Sequence, residues 1–234
     1  MSPSYSDPLE DSFDLMVEHF WWFTIFLAGW TIYHKVVNWL LPQKKPIYYA
    51  TFLSLTHAVL ATSTAIYLFV TSQHQNSTIM YPHLMSMAYF TQDLSACWRD
   101  PVFLGHHICS LIMIGATRYL QSHEYNYWSN ILLMFAECTA ILQNHFFLQK
   151  TAYGEDRKVE FNRKYLWEFK LFARSFKTCR LVILPVLLVL FLYRIEESFY
   201  FWIVAVNSTA VIAGSIYWVN GQNKMLKRMQ KKDS

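Results

Sequence analysis

Two adjacent imidazoles, His106 and His107, follow Gly105 about five residues into an apolar stretch that begins at Pro101. Ionisable side chains at such a depth in hydrocarbon need partners or water, so they are read first as a functional site. An imidazole serves as nucleophile or general base near neutral pH, and a carboxylate beside it fixes its tautomer and raises its basicity. Asp93 is such a carboxylate, and Tyr89 lies four residues before it on the same helical face. Ser54 and His57 are three residues apart, also on one face. Glu137 and Asn144 share a stripe with Ile141. At 1.5 Å per residue His57 lies roughly 15 Å from the start of its apolar segment, and His106 and His107 lie roughly 8 to 9 Å from the start of theirs. Asp93 stands about as far from the end of the preceding segment. The short connection Trp98-Arg99-Asp100-Pro101 makes those two segments antiparallel neighbours, so contact between Asp93 and the histidines is expected.

The elements that must position these groups are membrane spans. The 234 residues are 54% hydrophobic and 18% aromatic with 15% charged, and the apolar residues come in blocks, a membrane composition. At about 20 apolar residues per crossing, seven spans are predicted. They cover approximately 19–41, 47–71, 82–98, 101–120, 126–148, 178–194 and 198–219. The fold class is therefore all-α and polytopic. The third span is the weakest by hydropathy, since Gln92 and Asp93 interrupt it, but the charge of the flanking loops requires it to cross.

Charge sets the expected orientation. The first 18 residues hold five acidic groups and no Lys or Arg, unlike a signal or transit peptide, so the first apolar block is expected to be a retained anchor. Lys35, Lys44 and Lys45 follow it, which places the N-terminus in the lumen and this connection in the cytosol. Residues 149–180 hold nine Lys or Arg against four acids, interleaved with Tyr165, Trp167, Phe169, Phe172 and Phe176. That segment is expected to be an amphipathic helix on the cytosolic leaflet, either a plain positive-inside loop or a site for anionic lipid or coenzyme A phosphate. The basic tail puts the C-terminus in the cytosol. Its end, Lys231-Lys232-Asp233-Ser234, resembles a dilysine retrieval signal of the endoplasmic reticulum. Asn76-Ser77-Thr78 is a glycosylation sequon expected to lie too near the membrane for use, and the match at Asn207 would be buried. Cys97, Cys109, Cys138 and Cys179 lie in or at the ends of spans, and no disulfide is expected.

Ser54-x-x-His57, Tyr89-x-x-x-Asp93, His106-His107 and Glu137-x-Thr139 with Asn144, in this order and at these depths, resemble the TLC-domain family. That family includes ceramide synthases, the translocating-chain-associating protein and small TLC-domain proteins linked to membrane lipid composition. The resemblance covers about residues 46–220. It implies a barrel of six helices around a long cavity plus one N-terminal helix, and hence a division into 1–45 (acidic tail and first helix), 46–220 (TLC domain) and 221–234 (basic cytosolic tail). By the same resemblance His106 and His107 act as nucleophile and general base in acyl transfer from acyl-CoA to a sphingoid base, with Asp93 orienting one ring and His57 among the catalytic groups. Tyr89, Glu137, Asn144 and Ser54 then contact lipid. The ceramide synthase motif continues with a His-Asp pair and a further Asp, whereas this chain has Phe135-Ala136-Glu137-Cys138-Thr139, a pattern similar to the small TLC-domain proteins.

Three hypotheses follow: an enzyme of lipid acyl chemistry, a non-catalytic lipid-binding regulator, and an accessory subunit of a larger membrane complex, with a homodimer also compatible. Membrane lipids and acyl-CoA are the expected partners, acyl-CoA as substrate; no cofactor and no nucleic acid are expected. The nine histidines lack the His-x-x-His-His boxes of membrane di-iron enzymes, so no metal is expected. No Gly-rich turn after a strand suggests a nucleotide site.

Overall fold

The computed structural model describes residues 8–41, 46–71, 80–98, 100–119, 123–153, 158–196 and 198–230, with side chains for 16–41, 48–71, 81–98, 100–116, 127–152, 164–196 and 199–230. The sequon at Asn76, Lys44, Lys45, Arg99, the dilysine end and the acidic side chains before Met16 lie outside the described residues. The described chain is helical throughout: α1 (Pro8–Leu40), α2 (Pro46–Val70), α3 (Met80–Cys97), α4 (Pro101–Tyr119), α5 (His123–Tyr153), α6 (Lys158–Thr178), a π-helical turn (Cys179–Ile183), α7 (Leu184–Tyr193) and α8 (Ser198–Gln230). α6, the π turn and α7 form one continuous rod, so the described residues make seven rods.

Among the described residues four stretches are long and apolar enough to cross a membrane: Tyr48–Val70, Tyr127–Ala152, Lys164–Tyr193 and Phe199–Gln230; Pro101–Ala116 is a shorter apolar helix. The distribution of side chains points the same way. Large apolar groups face outward, among them Trp21, Ile25 and Trp39 on α1, Val186 and Val189 on α7, and Trp202 and Val206 on α8. Inside lie His57, Ser86, Asp93, His107, Glu137, Asn144 and Arg180. Polar groups within and apolar groups without describe a helical membrane protein whose solvent is hydrocarbon.

The sequence expectation and the structure differ at α6. In place of a helix lying on a leaflet, separate from a span beginning near residue 178, α6 runs straight into α7. Tyr165, Phe169, Phe172 and Phe176 recur at helical spacing, and the last three are buried against Phe146 of α5 and Val219 and Met229 of α8. The aromatic stripe is a packing face inside the bundle, while Trp167 on the other side is exposed. His145 of α5 pairs with Glu168 of α6 at 2.6 Å, a further tie. Residues 221–230 of the C-terminal segment continue α8, and Met229 is buried in the same cluster.

The π turn has a local cause. Pro185 lacks an N–H, so it makes no bond to the carbonyl of Leu181 four residues back, and the ladder widens around the gap. The extra residue in the turn belongs to the stretch that carries the buried Arg180.

Candidate functional site

The turn between α3 and α4 sets the geometry. Asp100 caps α4, its Oδ1 accepting the backbone N–H groups of Val102 at 3.0 Å and Phe103 at 3.2 Å, with Pro101 at the first helical position. α3 and α4 are thereby held antiparallel with the end of one beside the start of the other.

Asp93 and His107 meet across this junction, Nε2 to Oδ2 at 3.0 Å. The Nδ1–H of His107 donates to the Phe103 carbonyl at 3.0 Å. The Cys97 thiol donates to the same Asp93 oxygen at 3.2 Å and stands 3.8 Å from His107 Nε2. Tyr89 O–H also reaches Asp93 Oδ2, at 3.4 Å. With Nδ1–H directed at a carbonyl, a hydrogen bond between Nε2 and Oδ2 requires a proton on one of those two atoms.

One turn deeper, His57 is stacked on Tyr89 with ring centroids 4.1 Å apart and planes 9° from parallel. Its Nε2 lies 3.0 Å from Ser86 Oγ and its Nδ1 3.6 Å from Glu137 Oε2. The order Ser86, His57, Glu137 is that of a nucleophile, base and acid, but Ser86 is fully buried and is not part of the lining of the cavity beside His106, so the His57–Ser86 bond is a tie between α2 and α3 with Glu137 of α5 beside it. Asn144 Nδ2 donates to Ser54 Oγ at 2.8 Å, joining α5 to α2 a turn or two away. Trp30 of α1 packs edge-on against His57 and Tyr89 and donates its indole N–H to the Met85 carbonyl at 3.2 Å. The sequence assigned α1 no chemistry; it roofs the cluster.

His106 points elsewhere. Its ring stands 5.7 Å from that of His107 and nearly perpendicular to it, facing Trp218 of α8 at 5.2 Å. It lines a cavity of about 100 Å³ bounded by α3, α4, α5, the π turn, α7 and α8, smaller than the about 300–1,000 Å³ usual for pockets that enclose a whole ligand. The walls are aliphatic, with Met113, Ile114, Leu132, Leu133, Leu184 and Leu188, and the polar lining includes His106, Ser110, Glu137 and Arg180. From Ser129 to Glu137 on α5, and from Arg180 to Leu188 on the π turn and α7, the lining extends over eight residues, roughly 12 Å along the bundle. His83 and Ser129 close the other end, bonded to each other at 2.9 Å.

Arg180 is the residue that the sequence reading missed. Grouped with the basic segment 149–180, it lies instead 4% exposed, its Nη2 donating to the Ala136 carbonyl at 2.6 Å and its Nε to Thr139 Oγ1 at 3.3 Å. Its Nη1 has no partner, and neither does Nδ1 of His106, among the described residues. Two buried polar atoms on different helices thus lack partners and belong to side chains lining one cavity, where each unmade bond is costly. The sequence signal was available in Pro185 five residues later, which predicts a local break in the helix.

The eight candidate residues thus fall into three arrangements: His107, Asp93 and Tyr89 bonded together; His57 with Glu137 and Ser54 with Asn144 between helices; His106 facing the cavity. The basic surface is separate. Lys170, Arg174 and Lys177 of α6 line a hollow against Asn223, Leu226 and Gln230 of α8, with Arg174 six residues, roughly 9 Å, from Arg180 along the same rod. The four cysteines are free thiols.

A family model described as the TLC domain matches residues 49–220, from the start of α2 into α8. No curated protein and no solved structure was found to match the chain.

Proposed function

The chain belongs to the TLC-domain family, and from that premise we propose that it acts in lipid metabolism or the control of membrane lipid composition by holding the head end of an acyl chain in the cavity beside His106. The observation that carries this is the pair of unpartnered atoms, His106 Nδ1 and Arg180 Nη1, on two side chains that line one mostly apolar cavity. Apolar walls favour a hydrocarbon chain, at about 0.8 kcal/mol per buried methylene relative to water. A carbonyl or carboxylate oxygen at its head would satisfy the guanidinium, and the same donor would stabilise negative charge on that oxygen during acyl transfer. His106 is the general base for an acceptor amine or hydroxyl; His107, held by Asp93, is a positioning residue. The hollow lined by Lys170, Arg174 and Lys177 suits the phosphates of acyl-CoA or an anionic headgroup. The setting is the endoplasmic reticulum membrane, with the N-terminus lumenal and the C-terminus cytosolic.

A second reading is a non-catalytic lipid-binding regulator. It is favoured by the extent to which His57, Ser86, Ser54 and Asn144 satisfy one another, as structural groups do. Quantitative lipidomics of cells lacking the protein, rescued by wild type and by His106→Ala at matched expression, separates the two. Rescue by wild type alone supports acyl chemistry at His106, and full rescue by the variant leaves the regulator.

A further inference from the structure

We propose that Asp93, Cys97 and His107 form a site for a thiophilic divalent cation of the zinc type, clamping α3 to α4. The inference goes beyond the acyl-chain reading and does not depend on it. Asp93 and Cys97 are four residues apart, so they project from one face of α3, and His107 faces them from α4. Their donor atoms lie within 4.8 Å of one another, at 3.0, 3.2 and 3.8 Å pair by pair. Tetrahedral zinc with sulfur, nitrogen and oxygen ligands separates those ligands by about 3.3–3.6 Å, so shifts of a few tenths of an ångström in the donor atoms convert one arrangement into the other.

The outer partners are those of a ligating histidine. Nδ1–H of His107 donates to the Phe103 carbonyl, which fixes the ring and directs the Nε2 lone pair at Asp93 and Cys97. Tyr89 O–H supports the Asp93 carboxylate. Charge balance favours the same occupant. Without a cation the centre holds the thiol proton of Cys97 and one proton shared between His107 and Asp93, with net charge zero. A dication displaces both protons, leaving thiolate, carboxylate and neutral imidazole around it, again with net charge zero. The bond changes are therefore loss of S–H and of the shared N–H or O–H, and gain of three bonds to the metal; the buried site never carries an uncompensated charge. A thiolate, an imidazole and a carboxylate suit zinc better than magnesium or calcium, and leave a fourth position for water. The expectation of no metal from sequence weighed histidine spacing; Cys97 enters only through the fold.

The test is cobalt(II) and zinc(II) titration of the purified full chain in detergent, with metal content measured after gel filtration. The expected result is about one ion per chain, a sulfur-to-cobalt charge-transfer band that zinc abolishes, and at least tenfold weaker binding in Cys97→Ser, with Cys109→Ser unchanged. Failure of wild type to retain zinc or develop the cobalt band overturns the proposal, and so does a band that persists in Cys97→Ser. Because wild type alone gives a decisive reading, loss of folding in a variant does not blur the outcome.

Discussion

At the scale of single residues, the adjacent histidines have different surroundings, and their substitutions should separate. His107→Ala or Asp93→Ala strips a bonded partner from a buried group and is expected to lower stability by about 1–3 kcal/mol, seen as a lower thermal midpoint in detergent. His106→Ala removes a side chain whose Nδ1 has no partner among the described residues, so the thermal midpoint should stay within a degree or two of wild type while lipid-dependent function is lost. Equal destabilisation by both would contradict this division. The sequence named His106, His107, Asp93 and Glu137 because ionisable groups are conspicuous in an apolar stretch, and the depth of Asp93 could be counted along the helices. It could not place Arg180, whose charge looked like one more positive-inside residue, nor Cys97, Ser86 and Trp30, whose meaning depends on which rods are neighbours.

At the scale of elements, two joints position these residues. Asp100 caps α4, and Asp100→Ala should cost about 1 kcal/mol and loosen hydrogen exchange in the first turn of α4 ahead of the rest. Gly105, by contrast, has open space where a Cβ would stand, so Gly105→Ala should be neutral or stabilising by about 0.5–1 kcal/mol. The α6 aromatics give a sharper test. Phe172→Ala should cost about 3–5 kcal/mol as a core cavity, whereas Trp167→Ala, on the exposed face, should change stability by under about 0.5 kcal/mol; comparable small effects would return α6 to the membrane surface. Period 3.6 in the sequence showed that α6 is amphipathic but not what its apolar face meets. A leaflet and a helix pair demand the same pattern, and only the burial of Phe146 and Met229 against it distinguishes them.

At the scale of the molecule, seven rods connected in series should leave the two ends on opposite sides of the membrane if every rod crosses. Protease protection of tags at the N- and C-termini in sealed microsomes should therefore differ, and identical protection would show that a rod fails to span. The helical, polytopic architecture was legible from blocks of apolar residues and loop charge alone, because hydrocarbon imposes length and composition on every crossing. The cavity was not, since it arises where α3, α4, α5, α7 and α8 fail to close on one another. Its occupant is the central claim, and the most direct measurement is photo-crosslinking of a diazirine-bearing fatty acid to the purified protein, with labelled peptides mapped by mass spectrometry. Labelling of cavity-facing positions on α4, α5 and α7, such as Met113, Leu132 and Leu184, and its loss in Arg180→Met, is the predicted result. Labelling confined to outward residues such as Val186 and Trp202, unchanged by that substitution, would contradict an acyl-chain site in the bundle.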